Sequence, residues 1–420
     1  MNILLINHYA GSKYHGMAYR PYYFAIEWVK AGHDVTIIAA DKTHIRHQNV
    51  LIPEDKDYYF ENIDGIRYLW LRTFSYKDNS INRAFNIASF IFQLYRFSNF
   101  ISKTLKPDIV ITSSTYPADV FPAYRIVKQS KAKYIYEIRD LWPLSPIILG
   151  KISKNNPFIQ AMQYSEDYCY KHCDAVVSVL PKVSEHMKNH GLPLEKLHII
   201  ENGLSLEEWE KHSIIPDSLN SLINREKAKG RFLLGYAGNH SSANSLHTII
   251  EAAEKLQNTN AVFVLVGNGR DKSKLISLAN DKHLNNVIFY DSIAKESIPD
   301  LLSKFDCLLI TWKNLWDLYK FGISPNKLMD YMMAGKPIIH AVNAGNDAVK
   351  DSGCGISVPA EDPTALAEAI IKLMNTSEEE RDLMGQKGRE YVIKNHDYRV
   401  LAKKYLDVMQ SLLGELELLE

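Results

Sequence analysis

Cysteine is scarce in this chain of 420 residues, which has four: Cys169, Cys173, Cys307 and Cys354. So few thiols cannot supply a disulfide framework for a chain of this size, and we expect them to be reduced, as in the cytosol. Cys169 and Cys173 lie four residues apart and would share a helix face. A metal site would need further ligands nearby, so packing in the core is the favoured interpretation.

The chain also lacks an excess of charge of either sign, because 49 Lys and Arg balance 49 Asp and Glu. No global charge therefore recruits nucleic acid or another polyanion. No run of 18 apolar residues occurs, so no membrane-spanning segment is expected. Met1-Asn2 leads into an apolar run without the basic region of a signal peptide. Together with 46% apolar residues, these features predict a soluble cytoplasmic protein with two domains.

Strand-length apolar runs alternate with helix-length segments in both halves of the chain. The runs cover 2–9, 32–40, 107–114, 132–140, 174–180 and 197–202, and then 231–238, 261–269, 286–292, 306–312, 336–342 and 355–358. This alternation is typical of doubly wound parallel sheets with helices on both faces. We therefore expect the α/β class, with two Rossmann-like domains.

The domain boundaries follow from where this pattern stops and restarts. We expect an N-terminal domain over 1–203, a polar linker over 204–230 and a C-terminal domain over 231–394. A C-terminal helix over 395–420 is expected to cross back to the first domain. Ligands of such sheets bind at the carboxyl ends of the strands. Two facing sheets would therefore place a cleft between the domains.

Two glycine-containing loops follow strands of the second domain. Gly238-Asn239-His240 precedes a helix that begins near Ser245, and the free amides of a helix N-terminus suit a phosphate group. A strand-to-helix turn that only needs a small residue is the alternative. Gly267-Asn268-Gly269-Arg270 lacks the third glycine of the dinucleotide fingerprint, so a dinucleotide-dependent oxidoreductase is disfavoured.

The densest segment is GISPNKLMDYMMAGKPII, residues 322–339. Pro325 can begin a helix there, which would place Ser324, Pro325 and Asn326 at a helix N-terminus at the predicted cleft. Asp330 lies within this helix. A solvated surface carboxylate explains Asp330 as well as a ligand contact does.

Taken together, these blocks resemble the glycosyltransferases of the GT-B fold, most closely family 4. The resemblance spans nearly the whole chain and lies in GHDVTII (32–38), IIENGLSL (199–206), LLGYAGNHSSANSLHTIIEAAEKL (233–256), VLVGNGRDKSKL (264–275), VIFYDSI (287–293), SPNKLMDYMMAGKPII (324–339) and GCGISVPAEDPTALAEAI (353–370). EIRDLWPLSP (137–146) and GYAGNHSSAN (235–244) are similar to the branch of N-acetyl-fucosamine transferases of bacterial O-antigen assembly. The resemblance implies two domains facing across a cleft and a retaining, metal-independent enzyme without a cofactor.

The chain departs from the family pattern at two places. The family has one Glu that contacts the donor sugar and a second, eight positions later, that contacts the ribose. Asp330 stands at the second position, and Gly322, without a side chain, at the first. The family also commonly has an Arg and a Lys that bind the diphosphate, but residues 238–247 contain neither. Lys327 is the best replacement and Arg270 the second choice.

The resemblance also implies site residues in the first domain. Arg139 and Asp140 follow a strand where the acceptor hydroxyl and donor sugar would meet, although an Asp that caps a turn is the alternative. Glu201 lies at the interdomain turn, where Gly203 is as readily a hinge. The expected catalytic residues are thus Lys327, Arg139 and Asp140. The expected substrate-binding residues are Asp330, Gly238, Asn239, Ser324, Pro325, Asn326, Gly16, Glu201 and Arg270, and no metal ligand is expected.

The function implied is sugar transfer from a UDP-sugar to a polyprenyl-diphosphate-linked saccharide in O-antigen or capsule assembly. An N-acetylated deoxyhexosamine is among the candidate sugars. The alternatives are a UDP-sugar 2-epimerase of the same fold and a non-catalytic subunit that binds a nucleotide sugar.

A basic stretch adds an expected partner. Residues 65–106 contain seven Lys and Arg and one acid, Asp78. Their helix, 81–103, interleaves aromatic and basic residues, which suits the anionic inner face of the plasma membrane. A core helix with a solvated basic edge is the alternative.

Overall fold

The computed structural model describes residues 1–16, 20–46, 48–76, 81–211 and 213–417. Two members of the basic stretch, Lys77 and Asp78, lie outside these residues. The chain forms two compact units, which are described separately. The first comprises Met1–Asn202 with Tyr398–Glu420, and the second comprises Gly203–Asp397.

The first unit is built on an eight-stranded sheet. Its strands are β1 (Asn2–Ile6), β2 (Asp34–Ala40), β3 (Tyr58–Ile63), β4 (Ile66–Leu71), β5 (Ile109–Thr112), β6 (Lys133–Ile138), β7 (Ala175–Ser178) and β8 (Leu197–Ile199). They lie in the order β3-β4-β2-β1-β5-β6-β7-β8. All neighbours pair in parallel except β3 and β4. The sheet is therefore parallel with one antiparallel edge.

The β3–β4 hairpin is the element that the sequence interpretation missed. Ile63 pairs with Ile66, so the loop between the strands contains only Asp64 and Gly65. Both have positive φ, 52° and 83°, as a tight hairpin turn requires. Asp-Gly between two strand-length runs is a strong hairpin signal, and it was available in the sequence.

Helices cover the faces of this sheet. They are α1 (Arg20–Lys30), α2 (Ile81–Leu105), α3 (Val120–Ser130), α4 (Leu144–Gly150), α5 (Pro157–His172) and α6 (Ser184–Asn189), with 3₁₀ turns at Lys13–His15, Pro117–Asp119 and Leu194–Lys196. The helices that follow β1 and β5 bury apolar residues against the sheet, which excludes water from both faces.

The second unit has a six-stranded sheet. Its strands are β9 (Phe232–Ala237), β10 (Ala261–Val266), β11 (Val287–Tyr290), β12 (Cys307–Thr311), β13 (Ile338–Ala341) and β14 (Gly355–Val358). They lie in the order β11-β10-β9-β12-β13-β14. Every pairing is parallel. The prediction of two α/β domains with parallel sheets is confirmed.

The helices of the second unit are α7 (Leu206–Glu210), α8 (Asp217–Ala228), α9 (His247–Lys255), α10 (Lys272–Asp281), α11 (Ile298–Ser303), α12 (Trp316–Tyr319), α13 (Asn326–Met333), α14 (Ala348–Ser352), α15 (Pro363–Met374) and α16 (Glu378–Asn395). Two further 3₁₀ turns cover Ser242–Asn244 and Lys295–Ser297. Residues 204–230, expected as a linker, contain α7 and α8. Leu219 and Ile223 of α8 are fully buried in the core of this unit.

The last helix, α17 (Tyr398–Glu417), belongs to the first unit and packs on α1. Its Tyr405 ring lies edge-on to Trp28, with 5.2 Å between centroids, and both side chains are fully buried. Aromatic pairs of this geometry add to the free energy gained by burial.

Two expectations from composition can be compared with the structure. All four cysteines are buried and free, so core packing is confirmed. In the described ranges, no helix combines the length and the apolar character needed to cross a bilayer.

A buried ion pair in the first unit gives a stability prediction. The Arg20 Nε lies 3.0 Å from Glu137 Oε2, with side-chain exposures of 1% and 3%. The other guanidinium nitrogens donate to the carbonyls of Ile200 and Glu201. We expect Arg20→Ala to lower the free energy of unfolding by about 3–5 kcal/mol, because it leaves the Glu137 carboxylate buried without its cation.

Urea denaturation of the full chain measures this change. Arg96→Ala is the matched control, since its pair with Asp57 is exposed and such pairs contribute about 0–1 kcal/mol. Equal losses in the two variants would contradict the prediction.

Candidate functional site

The strand register of the second unit brings its two glycine-containing loops together. β9 and β10 pair in parallel from Phe232 and Ala261 to Ala237 and Val266, so the residues that follow leave the sheet at the same edge. The Gly238 amide donates to the Val266 carbonyl at 2.9 Å.

The two loops continue this contact beyond the sheet. The His240 amide donates to the Asn268 carbonyl at 2.9 Å. A side chain at Gly267 would place its Cβ 1.9 Å from the Gly238 carbonyl oxygen. Glycine at 267 is therefore required by the close approach of the loops, which accounts for it without a bound ligand.

Helix α13 is fixed against the end of β9 by Tyr331. The Ala237 amide donates to the Tyr331 hydroxyl at 2.7 Å, and this hydroxyl donates to the Ala237 carbonyl at 3.2 Å. Lys327 lies one helical turn before Tyr331, on the same face. This spacing directs the Lys327 side chain to the residue that follows Ala237, which is Gly238.

The Lys327 ammonium lies over Gly238. A Cβ built on this glycine would be 2.9 Å from the Lys327 Nζ. The Nζ donates to the Tyr236 hydroxyl at 2.8 Å and to the Asn244 Oδ1 at 3.1 Å, and it lies 4.3 Å from the centroid of the Tyr236 ring. The structure therefore brings together Lys327 and Gly238, both of which the sequence interpretation assigned to the diphosphate.

No carboxylate of the described chain lies within ion-pair distance of the Lys327 ammonium. Burial lowers the pKa of Lys327 from 10.5 to about 7, because removal from water disfavours the charged form. An anion placed at this nitrogen would favour the charged form again. The charge of this amine therefore depends on the groups placed beside it.

Asp330 faces a different part of the unit. Burial raises its pKa from 3.8 to about 7, while Lys295 lowers it and Glu208 raises it further. Lys295 and Glu208 themselves form an ion pair of 3.3 Å. Asp330 is thus a largely buried carboxyl group that takes up a proton near neutral pH.

The segment before α13 has few free donors. Gly322 has a φ of 96°, a conformation that a glutamate would adopt only with strain. The Ile323 amide donates to Asn346 Oδ1 at 2.8 Å, and the Asn346 Nδ2 donates back to the Ile323 carbonyl at 3.0 Å. The amide of Ile323 is therefore already used, and Pro325 has none. Ser324 is buried and Asn326 is exposed.

Several amides at and just before the start of α9 are used internally. The amides of Asn244, Ser245, Thr248 and Ile249 donate to the carbonyls of Ser241, Ser242, Ser245 and Leu246. The expectation that this helix end offers amides to a phosphate stays a prediction for the amides that these bonds do not use. The Lys327 ammonium and the exposed Asn239 are among the polar groups at this edge, together with the exposed Asn268 and Arg270 of the second loop.

Three polar residues of this site were missed by sequence reasoning. Tyr236 and Asn244 hold Lys327 as described. His240 is fully buried, and neither ring nitrogen has a partner among the described residues. Burial, with Lys272 and Lys327 nearby, lowers the pKa of His240 to about 4, so the imidazole is neutral. All three lie close to Gly238 in the sequence, and this closeness is the signal by which they could have been found.

Two of the residues expected in the first unit, Arg139 and Asp140, follow strand β6. The Asp140 Oδ1 accepts from the Leu141 amide at 2.9 Å and from Ser145 Oγ at 2.5 Å, and burial raises its pKa. Asp140 thus caps the turn before α4, the alternative considered for it. Arg139 is half-buried at the end of β6.

Three further residues, Gly16, Glu201 and Arg270, were expected to bind substrate. Gly16 ends the 3₁₀ turn Lys13–His15 with a φ of 71°. The Glu201 carbonyl accepts from Arg20 at 2.6 Å, which ties this segment to the first unit. Arg270 is exposed in the loop after β10. Lys272, two residues later, pairs with Asp291 at 2.7 Å.

One group of potential metal ligands occurs among the described residues. Glu166, Asp167 and His190 have ligand atoms within 4.8 Å of one another. The Gln163 amide nitrogen lies 2.9 Å from Glu166, 2.8 Å from Asp167 and 3.0 Å from His190. This amide therefore already supplies hydrogen-bond donors to the group, which belongs to the first unit and not to the Lys327 site.

Two family models cover most of the chain. The model "Glycosyltransferase Family 4" matches residues 14–208, and "Glycosyl transferases group 1" matches residues 221–391. The chain carries a family 4 and a group 1 glycosyltransferase domain. The Lys327 site lies within the group 1 domain, and Arg139, Asp140, Gly16 and Glu201 lie within the family 4 domain.

Curated bacterial relatives are similar over most of their length. The chain is 22% identical to the probable glycosyltransferase WbjE of Pseudomonas aeruginosa, over 77% of this chain and 80% of that protein. It is 23% identical to the putative colanic acid biosynthesis glycosyl transferase WcaI of Escherichia coli K12, over 82% of this chain and 85% of that protein.

Solved structures of this glycosyltransferase fold are also similar. Sucrose-phosphate synthase from Thermosynechococcus elongatus superposes with a TM-score of 0.71 and 15% identity, over 98% of this chain and 99% of that chain. Anabaena HepE in complex with UDP and glucose superposes with a TM-score of 0.65 and 13% identity, over 98% and 100%. Together with the two parallel-sheet units, these neighbours identify the fold as GT-B.

The burial of Lys327 gives a pH-dependent stability prediction. Between about pH 7 and pH 10.5 the unfolded chain keeps this proton while the folded chain releases it, so the free energy of unfolding should rise with pH across this window. Below pH 7 both states are protonated and the cost of burying the charge is fully present. We expect Lys327→Met to be more stable than the parent at pH 6 and to lose this rise.

Urea denaturation of the ligand-free chain at pH 6, 7, 8 and 9 measures the effect. Lys274→Met, at an exposed position of α10, is the control and should keep the rise. If Lys327→Met and the parent chain show the same pH dependence, the ammonium is not buried as described.

Proposed function

We propose that the chain is a retaining glycosyltransferase that uses a UDP-sugar as donor. The observation that carries this proposal is the half-buried Lys327 side chain, whose ammonium lies over Gly238 without a carboxylate partner in the described chain. A diphosphate supplies the missing anion, and a cation at this position stabilises the negative charge that develops as the diphosphate leaves. The UDP preference is supported by the presence of UDP in the HepE complex.

In this proposal the acceptor hydroxyl attacks C1 of the donor sugar on the face from which the diphosphate departs. The bond between C1 and the diphosphate oxygen breaks, and this oxygen takes the proton of the acceptor hydroxyl. Lys327 then balances the charge on the released UDP, with no metal. Asp330 is proposed to accept a hydrogen bond from the ribose, and Asn239, Ser324, Asn326 and Arg270 to complete donor binding.

The proposed acceptor is a polyprenyl-diphosphate-linked saccharide, which the first unit would bind through Arg139, Asp140, Gly16 and Glu201. The names of the relatives support a role in bacterial surface polysaccharide assembly, since WcaI is described as a colanic acid biosynthesis enzyme and a further relative as an O-antigen chain mannosyltransferase. We propose that this sugar transfer takes place at the cytoplasmic face of the plasma membrane. An N-acetylated deoxyhexosamine remains among the candidate sugars, because Gly322 provides no carboxylate for sugar hydroxyls.

Purified protein incubated with a panel of UDP-sugars and lipid-linked acceptors tests the proposal. Transfer, or slow release of UDP without acceptor, is the expected result. Conversion of the UDP-sugar to its 2-epimer would favour the epimerase, and binding without any turnover would favour a non-catalytic subunit.

The role of Lys327 can be tested on kcat. Lys327→Ala should lower kcat at least about tenfold, because it removes charge stabilisation from the leaving diphosphate. Lys327→Arg is not expected to restore it, since a planar guanidinium does not fit where a point ammonium lies. Lys274→Ala is the control. EDTA should leave turnover intact, and a loss that magnesium reverses would contradict the electrostatic account.

Measurement of the donor KM tests the proposed role of Asp330. Because its pKa is raised to about 7, Asp330 is a full acceptor only above this pH. The donor KM should therefore rise as pH falls below 7. Asp330→Asn should raise the KM by the equivalent of about 1.5–3 kcal/mol and remove this pH dependence. Unchanged KM in the folded variant would exclude the ribose contact.

A further inference from the structure

The helices α2 and α3 of the first unit contain no acidic residue. Residues 81–105 and 120–130 contain five Lys and Arg and neither Asp nor Glu. The two helices pack against each other, so their outer surfaces form one region. A surface of one charge sign over two adjacent helices is complementary to an anionic partner.

Large aromatic side chains are exposed on the same region. Phe85, Phe92 and Tyr95 of α2 are 56%, 66% and 49% exposed, and their spacing places them along one side of the helix. Tyr164 of α5 is 63% exposed and stacks on Phe121 of α3, with 6.0 Å between ring centroids. We name these five residues the aromatic face.

Two cations of α3 are held against aromatic rings in this region. The Arg125 guanidinium lies 5.1 Å from the centroid of Tyr95, which joins α3 to the exposed side of α2. The Lys128 ammonium lies 5.3 Å from the centroid of Tyr124. Cations stacked on rings keep their charge available to an outside anion while their stems lie on apolar surface.

The basic residues of α2 are placed differently. Arg96 pairs with Asp57 at 2.6 Å, and Arg83 donates to the Tyr9 hydroxyl at 3.1 Å with its guanidinium over that ring. Two of the three Lys and Arg of α2 therefore already contact side chains of neighbouring segments. Arg125 and Lys128, outside the 65–106 stretch, are better placed.

We propose that the aromatic face, with Arg125 and Lys128, is the surface by which the first unit docks on an anionic lipid bilayer. The proposal rests on the proposed function, because it deepens the membrane location assigned there. Exposed aromatics beside Lys and Arg are what a bilayer interface selects. A second copy of the chain is a poorer occupant, because the basic helices α2 and α3 of two copies would repel each other.

Co-sedimentation with vesicles tests the proposal. The full chain should pellet with phosphatidylglycerol vesicles and much less with phosphatidylcholine vesicles. Phe92→Ser/Tyr164→Ser should reduce the bound fraction at every salt concentration, because the apolar contribution is not screened. Arg125→Ser/Lys128→Ser should weaken binding at low salt by about fivefold per cation, with little difference from the parent at 1 M salt.

Two control variants change exposed residues that are not part of the proposed surface. Leu383→Ser/Ile371→Ser removes exposed apolar side chains of the second unit, and Arg96→Ser removes the α2 cation paired with Asp57. Both should bind vesicles nearly as the parent does. Calorimetric binding of UDP should be the same in all variants, so failure of the docking surface and failure of the donor site are separate results.

Several results would overturn the proposal. Equal pelleting of the parent, Phe92→Ser/Tyr164→Ser and Arg125→Ser/Lys128→Ser would exclude this surface. Loss of binding in Arg96→Ser alone would exclude it as well. A concentration-dependent dimer that these variants abolish, with no vesicle binding by the parent, would assign the surface to a second copy.

Discussion

The second unit holds the half-buried amine of Lys327 with no carboxylate beside it among the described residues. The arrangement of the residues at the carboxyl ends of β9 and β10 depends on this amine. Lys327 can lie over residue 238 only because that residue has no side chain. Its position is set by Tyr331, which fixes α13 to the end of β9. Tyr236 and Asn244 then supply neutral hydrogen-bond acceptors, which hold the ammonium without neutralising it. Such a site is costly to the unliganded fold and is relieved when an anion binds.

Helix α13 carries two candidate ligand-binding side chains that lie in different surroundings. Lys327 and Asp330 lie three residues apart on α13 but have different neighbours, Tyr236 and Asn244 for the first and Glu208 and Lys295 for the second. In the proposed function the first supplies a cation for the diphosphate, and the second is a carboxyl group that titrates near neutrality. Both pKa values are shifted toward 7 by burial, as is common for groups that bind ligands or take part in catalysis.

The strand pattern, the two-domain organisation and the GT-B resemblance could be predicted from sequence, because buried parallel strands read as continuous apolar runs. Gly238 and Lys327 could be assigned to one ligand, but the contact between them could not be predicted, since it depends on the packing of α13 on β9. The hydrogen bonds that occupy Ile323 and Asp140 come from Asn346 and Ser145, partners that no motif identified. The β3–β4 hairpin could also have been predicted, because Asp64-Gly65 lies between two strand-length runs and both residues adopt positive φ.

Proton uptake on UDP binding is the most direct test of the account. Isothermal titration calorimetry at pH 8, in buffers of different ionisation enthalpy, gives the number of protons taken up with each UDP. Because Lys327 is largely neutral at pH 8 and would be charged beside a diphosphate, we expect nearly one proton to be taken up per UDP at this pH. Lys327→Met should take up none. Tight UDP binding without proton uptake at pH 8 would contradict the claim that this ammonium holds the diphosphate.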